Sequence, residues 1–468
     1  MSALARYFVG KGVRVSGYDR ARTPLTRALE SEGIQVHYTD EETSVDPDAQ
    51  WVVYTPAIPA ASKVLRYYRE YGYTLLKRSD VLQKITESSF NICVAGTHGK
   101  TTITTLIAFI LRHSGYGCNA FLGGISANYQ TNFWSSERNL CVVEADEYDR
   151  SFLKLSPDIA VITAMDPDHL DIYGTAEAME DAFIAFSGRI KQGGWLLSKY
   201  GLARGAELSG GAGLKAPGRL TYSLRSTEAD IHVQALRVEE GSYVFDAQVA
   251  APGAAGSGAD GLATGVGPMA GSRPATVLRD VVLHMGGLHN VENTLAAIAV
   301  AYSLGIDGEA IKTAVAAFKG VKRRFEYVVR TEETVLVDDY AHHPEELRAL
   351  ITGAKDLFPG RKCTVVFQPH LFSRTKDLAD AFAASLDLAD AVILLPIYPA
   401  RELPVEGVSS SLILDRMKNP ERQLMTKEEL LDWAARAKPE LLIMSGAGDI
   451  DALVEPVAER LRKTPEGI

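Results

Sequence analysis

The sequence predicts an α/β protein of three domains, and three observations carry that reading. Short apolar runs alternate with helix-like periodic segments along nearly the whole chain, the pattern of mostly parallel sheets covered by helices. At 468 residues the chain is about three times a roughly 150-residue domain. Its 46% apolar and 23% charged residues are ordinary globular values, which excludes long disorder, collagen-like repeats and a heptad rod.

Charge and cysteine usage narrow the function classes. The 49 basic against 59 acidic residues leave a net charge of -10 with no basic block, so a nucleic-acid backbone is repelled and no nucleic acid is expected as a partner. Any anionic ligand must be held by a local site. No apolar run approaches the roughly 20 residues that span a bilayer, and the opening MSALARYFVGKG is too short and mixed for a signal peptide. A cytoplasmic protein with no membrane partner, monomeric or homodimeric, is expected. Cys93, Cys118, Cys141 and Cys363 form no CxxC pair and lie mostly in apolar runs, so they read as reduced core thiols.

The first unit spans residues 1–88. Met1 to Val9 is amphipathic, Val13 to Val15 is a short apolar strand, and Asp19 follows it as the strand-end carboxylate and candidate substrate contact. Trp51 to Tyr54 repeats the strand pattern. The unit opens inside a helix, although the helix of a βαβ unit needs a strand to lie against. A missing opening strand and phosphate loop is therefore expected, the alternative being a domain that starts with a helix.

The second unit, 89–325, starts at the buried-strand pattern Asn91 to Ala95 and continues through apolar strands at Leu140 to Val143 and Ile159 to Thr163. Composition shifts at 204–218 and again at 251–273, where seven Gly and six Ala fall in 23 residues. Such a stretch builds no core and reads as an exposed insertion or mobile loop. The third unit, 326–468, repeats the alternation with strands at Val335 to Val337, Thr364 to Phe367, Ala391 to Leu395 and Leu441 to Met444.

The strongest chemical signal is Gly96-Thr97-His98-Gly99-Lys100-Thr101-Thr102, directly after a strand and before a helical pattern running to about His113. A strand, a tight glycine turn and a helix start aim backbone N–H groups and the positive helix end at one point, which is where a phosphate chain binds. Lys100 then reaches the terminal phosphates and the Thr101 hydroxyl sits on Mg²⁺. The full GxxxxGK[ST] pattern is not met, because Val94 stands where its first Gly belongs. The competing reading is a glycine turn with an exposed lysine.

Glu144, at the end of the next strand pattern, faces the same crevice and is a candidate Mg²⁺ ligand, a hard ion that takes oxygen. His169, within Met165-Asp166-Pro167-Asp168-His169-Leu170-Asp171 after the third strand, suits a metal or phosphate contact. Three successive strand ends carrying Lys and Thr, Glu, and His describe a Mg-ATP site. His289, Asn290 and Asn293 open an Ala-rich helix and could read an adenine edge or merely cap the helix. Lys322-Arg323-Arg324 is a basic triplet at a domain boundary, either a solvated face or a phosphate clamp on closure.

The third unit offers Asp338-Asp339-Tyr340-Ala341-His342-His343-Pro344 at a strand end and Gln368-Pro369-His370-Leu371-Phe372-Ser373-Arg374-Thr375 after the next. The adjacent histidines lack the one-face spacing of a helical metal pair, which argues against zinc. Arg374 is a candidate to hold a carboxylate bidentately. Ser445 to Asp449 reads as a strand-to-helix turn.

In combination, GTHGKTT at 96–102, EADEYD at 144–149, DPDHLD at 166–171, HNVEN at 289–293, KRRFE at 322–326, DDYAHHP at 338–344 and QPHLFSRT at 368–375 resemble the Mur ligases over essentially the whole chain apart from the insertion at 251–273. The resemblance implies a Rossmann-like N-terminal domain that binds a UDP-sugar, a central P-loop ATPase domain and a Rossmann-like C-terminal domain near the incoming amino acid. It implies ATP and Mg²⁺ as cofactors and an acyl-phosphate route joining L-alanine to the lactyl carboxylate of UDP-N-acetylmuramate, in peptidoglycan synthesis. The alternatives are a murein-peptide recycling ligase of the same family and a P-loop nucleotide hydrolase or switch.

By resemblance, Gly96 to Thr102 cradle the ATP phosphates, Thr101, Glu144 and His169 serve Mg²⁺, and His289, Asn290 and Asn293 lie near the adenine. Arg324 and Asp339 contact ATP on closure, while Tyr340, His342, His343, His370 and Arg374 line the amino-acid end. Apart from the resemblance, the amine must lose a proton as it attacks, and a nearby histidine such as His343 is the candidate acceptor. The family's first domain normally opens with a strand and glycine loop ahead of a stretch like Met1 to Ala5. Ala164 stands where many members carry Asn, and Leu371 where an Arg is common.

Overall fold

A computed structural model of the chain describes residues 1–55, 58–59, 61–167, 170–208, 218–250, 274–400 and 402–462. The Gly/Ala-rich segment 251–273 and most of 204–218 lie outside the described residues.

The N-terminal unit holds two small parallel sheets. Strand β1 (Ser16–Tyr18) pairs with β2 (Gln35–His37), and β3 (Trp51–Tyr54) pairs with β4 (Thr74–Lys77). The first strand is thus displaced from the apolar run at Val13 to Val15. Its ladder is set by the partner's register, beginning where Gln35 donates to the Val15 carbonyl, and Val13 is left 49% exposed. The opening helix Ser2–Gly10 finds its apolar partner across the unit boundary: Tyr7 packs 5.4 Å from Phe121 and 6.2 Å from Phe133 of the central sheet. Arg6 fastens it there by donating to Asn132 at 2.9 Å.

The central sheet contains β5 (Phe90–Ala95), β6 (Asn119–Ser126), β7 (Thr131–Trp134), β8 (Leu140–Glu144), β9 (Ile159–Ile162), β10 (Trp195–Lys199), β11 (Gly218–Ser223), β12 (Ile231–Glu239), β13 (Ser242–Val249) and β14 (Thr276–Leu283). Among the described residues their order is β14-β13-β12-β11-β10-β9-β5-β8-β6-β7. The pairs from β12 to β6 are parallel, while β7, β13 and β14 join antiparallel at the two edges. Strand β5 sits between β8 and β9, so the chain leaves it on one side and returns on the other. That reversal opens a crevice at the carboxyl ends of these strands. Helix Lys100–His113 packs on helix Leu288–Ser303, whose alanines at 296, 297, 299 and 301 are all buried and permit close approach.

The C-terminal sheet holds β15 (Glu326–Arg330), β16 (Val335–Asp339), β17 (Cys363–Phe367), β18 (Ala391–Leu394), β19 (Arg422–Leu424) and β20 (Leu441–Ser445), in the order β15-β16-β20-β17-β18-β19. All pairs are parallel except β15 with β16. The apolar runs foreseen here and at β5, β8 and β9 become strands within one or two residues of their expected bounds. The strands β7, β14 and β15 at the sheet edges, and β13 next to one, carry less continuous apolar runs and were not foreseen.

The two large sheets touch through backbone-close contacts. The tip of the β12–β13 hairpin, Glu240-Gly241, has φ of 48° and 69°, the paired left-handed conformation of a tight hairpin turn. Arg330 clamps it by donating to the Glu240 carbonyl at 2.7 Å and the Ser242 hydroxyl at 3.0 Å. Phe358 fills the space beside Gly241, where a Cβ would collide with the ring. All four cysteines are free and buried. Among the described residues no helix is long and apolar enough to cross a membrane.

Candidate functional site

The crevice is built first by backbone. Gly96, directly after β5, has φ of 133°, and a Cβ there would collide with the Thr163 hydroxyl and lie 2.8 Å from Ala164 N. Gly99, the N-cap of helix Lys100–His113, has φ of 80°, and a Cβ there would lie 2.6 Å from Asn293 Oδ1. Both glycines are therefore required by conformation and by space. Thr163 holds the loop from the β9 side, donating its hydroxyl to the His98 carbonyl, while Thr97 N donates to the Ala164 carbonyl at 3.2 Å. The result is a rigid cradle open toward the helix N-terminus, the geometry that favours an anion.

Charged groups converge on it. Lys100 Nζ donates to the Gly96 carbonyl and to Glu147 Oε1, each at 2.6 Å. Thr101 donates its hydroxyl to Glu144 Oε1 at 3.1 Å, and Gly123 N donates to Glu144 Oε2 at 3.0 Å. Burial pushes the Glu144 carboxyl above its ordinary range, opposed by the Thr101 hydrogen bond and by the positive charges of Lys100 and Arg324. A partly buried carboxylate oxygen beside a hydroxyl oxygen offers the hard donors that a divalent ion takes. The cradle and this oxygen pair fit the triphosphate and Mg²⁺ that the sequence motif implies. Among the described residues no group of three or more His, Cys, Asp or Glu side chains gathers as a metal cluster. His169 lies outside the described residues, as does Asp168.

On the far wall of the cradle, Asn290 donates to the Gly286 carbonyl at 2.7 Å and accepts from Asn293 at 3.2 Å, both at the start of helix Leu288–Ser303. Asn293 thus touches the phosphate loop directly at Gly99. His289 is exposed beside it.

The linker between the large sheets forms the opposite rim. Arg323 and Phe325 have φ of 60° and 49°, a strained left-handed pair. Lys322 N donates to the Ile125 carbonyl at 2.8 Å on the central side, while Tyr340 N donates to the Arg323 carbonyl and Phe325 N to Asp339 Oδ2, each at 2.7 Å, on the other. The Arg323 guanidinium turns into the C-terminal unit, donating to the Gly446 carbonyl and lying 4.9 Å from the Tyr340 ring centre. Asp338 is 4% exposed, and burial pushes its carboxyl up to about 7 although Arg323 Nε stands 3.9 Å away. Arg324 itself is exposed on the crevice side, where its charge is felt by Glu144 and Asp339.

Strand ends β16, β20 and β17 bring the remaining candidates together. His342 Nδ1 lies 2.9 Å from the Tyr340 carbonyl, and its ring centre is 5.1 Å from Tyr340 and 6.1 Å from His370. His370 stacks on Tyr398 at 5.8 Å, and burial, then Arg374, then His342 hold its pKa below the usual histidine value. His370 Nδ1 and Arg374 Nη1 are both buried with no hydrogen-bond partner among the described residues. His343 does not join this cluster: it is the exposed N-cap of helix Pro344–Leu357, its backbone N–H bound to Glu346 Oε2 at 3.0 Å. Asp19 is exposed at the end of β1, accepting from Ala21 N at 3.0 Å, remote in sequence and sheet from the others.

Leu371, where the motif resemblance notes a missing Arg, has φ of 70° and anchors the segment by donating its N–H to the Tyr398 carbonyl at 3.0 Å. Several site residues had no weight in the sequence reading: Glu147, Thr163, Arg323, Asp338 and Tyr398. Glu147 sat in a noted carboxylate run and Arg323 in a noted basic triplet, so their neighbourhoods were visible. Their partners lie tens of residues away in sequence, and only folding pairs them.

Comparison with known proteins adds the family. A family model described as the Mur ligase middle domain matches residues 94–301, the Mur ligase glutamate ligase domain matches 323–448, and the Mur ligase family catalytic domain matches 1–89. The chain is 46% identical over 469 aligned positions to the UDP-N-acetylmuramate–L-alanine ligase of Parabacteroides distasonis, covering 99% of this chain and 95% of that protein. It is 44% identical to the enzyme of the same name from Porphyromonas gingivalis, covering 99% and 96%. Among solved structures, the UDP-N-acetylmuramate-alanine ligase of Thermotoga maritima superposes with a TM-score of 0.76 at 25% identity, over 98% of this chain and 95% of that one. A murein peptide ligase from Psychrobacter arcticus shares the fold, with a TM-score of 0.62 at 22% identity over 99% and 97%.

Proposed function

The chain belongs to the Mur ligase family, and from that premise we propose how its own residues perform an ATP-dependent joining of L-alanine to UDP-N-acetylmuramate. Identities of 46% and 44% over 99% of the chain to enzymes named UDP-N-acetylmuramate–L-alanine ligase favour alanine over a recycled peptide as acceptor. The observation that carries the reading is the meeting of Lys100, Thr101 and Glu144 at the glycine cradle, across the linker from the His370 and Arg374 cluster.

A carboxylate is a poor electrophile, so amide formation needs its oxygen converted to a leaving group. The lactyl carboxylate attacks the γ-phosphorus of ATP, ADP leaves, and an acyl phosphate results. The loop N–H groups from Gly96 to Thr102 and Lys100 hold the phosphates and absorb the charge spread over the transferring group. Thr101 and Glu144, with His169 by resemblance, would hold Mg²⁺, which supplies further positive charge there. His289, Asn290 and Asn293 flank the base, and Arg324 and Asp339 close over the phosphates.

Arg374 binds the alanine carboxylate with its Nη1, which has no hydrogen-bond partner among the described residues, and Tyr340 and His342 line the same pocket. The alanine nitrogen attacks the acyl carbon and phosphate departs. The amine proton goes to a histidine, and His370, kept neutral by burial and by Arg374, suits that role better than the exposed His343. The N-terminal unit, with Asp19 as its candidate contact, takes the UDP-sugar. Closure excludes water, which would otherwise hydrolyse the acyl phosphate.

The test is release of ADP and phosphate that depends on both UDP-N-acetylmuramate and L-alanine, absent in Lys100→Ala. Turnover with a murein tripeptide in place of alanine would move the assignment to peptide recycling. Nucleotide hydrolysis independent of any acceptor would reject a ligase altogether.

A further inference from the structure

Glu147 is a carboxylate with an unusual set of surroundings. It is 1% exposed, one oxygen lies 2.6 Å from Lys100 Nζ, and the other has no hydrogen-bond partner among the described residues. Its turn is pinned from both sides, since its carbonyl accepts from the Tyr173 hydroxyl at 2.6 Å and from Arg150 N at 2.9 Å. The backbone that carries the carboxylate is therefore held, and the side chain stands away from water.

An ammonium has three N–H donors. In Lys100 one goes to the Gly96 carbonyl and one to Glu147, which leaves a single donor. Were Lys100 to abandon Glu147 for a phosphate, a buried carboxylate would be left with no partner on either oxygen, the costly way to break an ion pair. Keeping both contacts and adding a third avoids that cost. Two fixed contacts also fix the direction of the third, as the remaining vertex of a tetrahedron.

We propose that Glu147 is a positioning residue for phosphoryl transfer: with the Gly96 carbonyl it holds the Lys100 ammonium in place, so that the one free N–H is presented to the terminal phosphoryl of the bound nucleotide. The inference rests on the reading of the glycine cradle as an ATP site. It differs from a latch, in which Glu147 competes with the phosphates and must release Lys100 before nucleotide binds.

The test uses the full chain carrying Glu147→Gln and Glu147→Ala, each checked for a cooperative thermal transition. Misplacing the reacting groups by about an ångström costs on the order of a hundredfold. Glu147→Ala should therefore lose about that much turnover at saturating ATP, with KM for alanine and UDP-sugar unchanged. Glu147→Gln keeps a neutral acceptor and should recover about tenfold of the loss, since a charge-assisted bond is roughly twice as strong as a neutral one. Independently of turnover, Lys100 in the nucleotide-free protein should react several-fold faster with an amine-acylating reagent in both variants, read by mass spectrometry. ADP titrated calorimetrically should bind no more tightly than to the unaltered protein.

Unchanged turnover and labelling in Glu147→Gln, or tighter ADP binding in either variant, would overturn the proposal, the latter in favour of the latch. If Glu147→Ala does not fold, Glu147→Gln decides by the same readings. Absence of ligase turnover in the unaltered protein would instead count against the ATP-site reading, while the labelling would still report the Lys100 tether.

Discussion

Gly287, at the N-cap of helix Leu288–Ser303, and Gly353, within helix Pro344–Leu357, meet backbone to backbone across the two large sheets: a Cβ on Gly353 would lie 2.9 Å from the Gly287 Cα. Gly286 beside them is covered by the Phe325 ring from the linker. The seam thus joins the helix that carries Asn290 and Asn293 to the unit that carries Tyr340 and His342. Its closeness sets how far the two halves of the site stand apart.

Gly353→Ala should therefore destabilise the protein by about 1–3 kcal/mol through overpacking against backbone that has no rotamer to yield. The sign is the reverse of the gain of about 0.5–1 kcal/mol usual for glycine to alanine within a helix. Urea unfolding of the variant checks it, and an increase in stability would show that the seam opens readily.

Gly96→Ala places a Cβ where the Thr163 hydroxyl stands, on a backbone of φ 133°. Strain of about 1–3 kcal/mol at that position translates to roughly tenfold or more in nucleotide affinity. Calorimetric titration with ADP should register that loss, while far-UV circular dichroism remains that of the unaltered protein.

Glu144→Gln removes the anionic partner of Thr101 without changing its size. The Mg²⁺ concentration needed for half-maximal turnover should rise by about tenfold or more. An unaltered Mg²⁺ dependence would take Glu144 out of the metal site.

Asp338 titrates at about 7 in the folded chain, well above an ordinary carboxyl, because burial outweighs the attraction of Arg323. Between about pH 4 and 7 the folded state holds this proton and the unfolded state does not, so stability falls as pH rises through that window. Asp338→Asn should flatten the fall and be more stable than the unaltered protein above pH 7, measured as denaturation midpoints across the range. A variant whose pH profile runs parallel to the parent's would assign the titration elsewhere.

The cradle was legible in sequence because everything it needs is local. A buried strand, two glycines and a helix start between 91 and 113 encode a strand, a turn and a helix through interactions spanning a few residues, and Glu144 could be read from the strand before it. The same locality explains where reading stopped. The pattern at Val13 to Val15 is as apolar as a strand, but β2 chooses the register; His343 looks equivalent to His342 in a string of letters, but a helix cap turns it away from the cluster.

What the sequence determined alone is the chemistry available: a phosphate loop, strand-end acids, and paired histidine and arginine motifs, each specified by short-range periodicity and turn residues. What the tertiary structure decided is which of these groups face one another. The pairing of Lys100 with Glu147, of Arg323 with Gly446, and of Gly287 with Gly353 depends on sheet order and on desolvation between segments 47 to 123 residues apart for the polar pairs, and neither quantity is carried by any window of neighbouring residues.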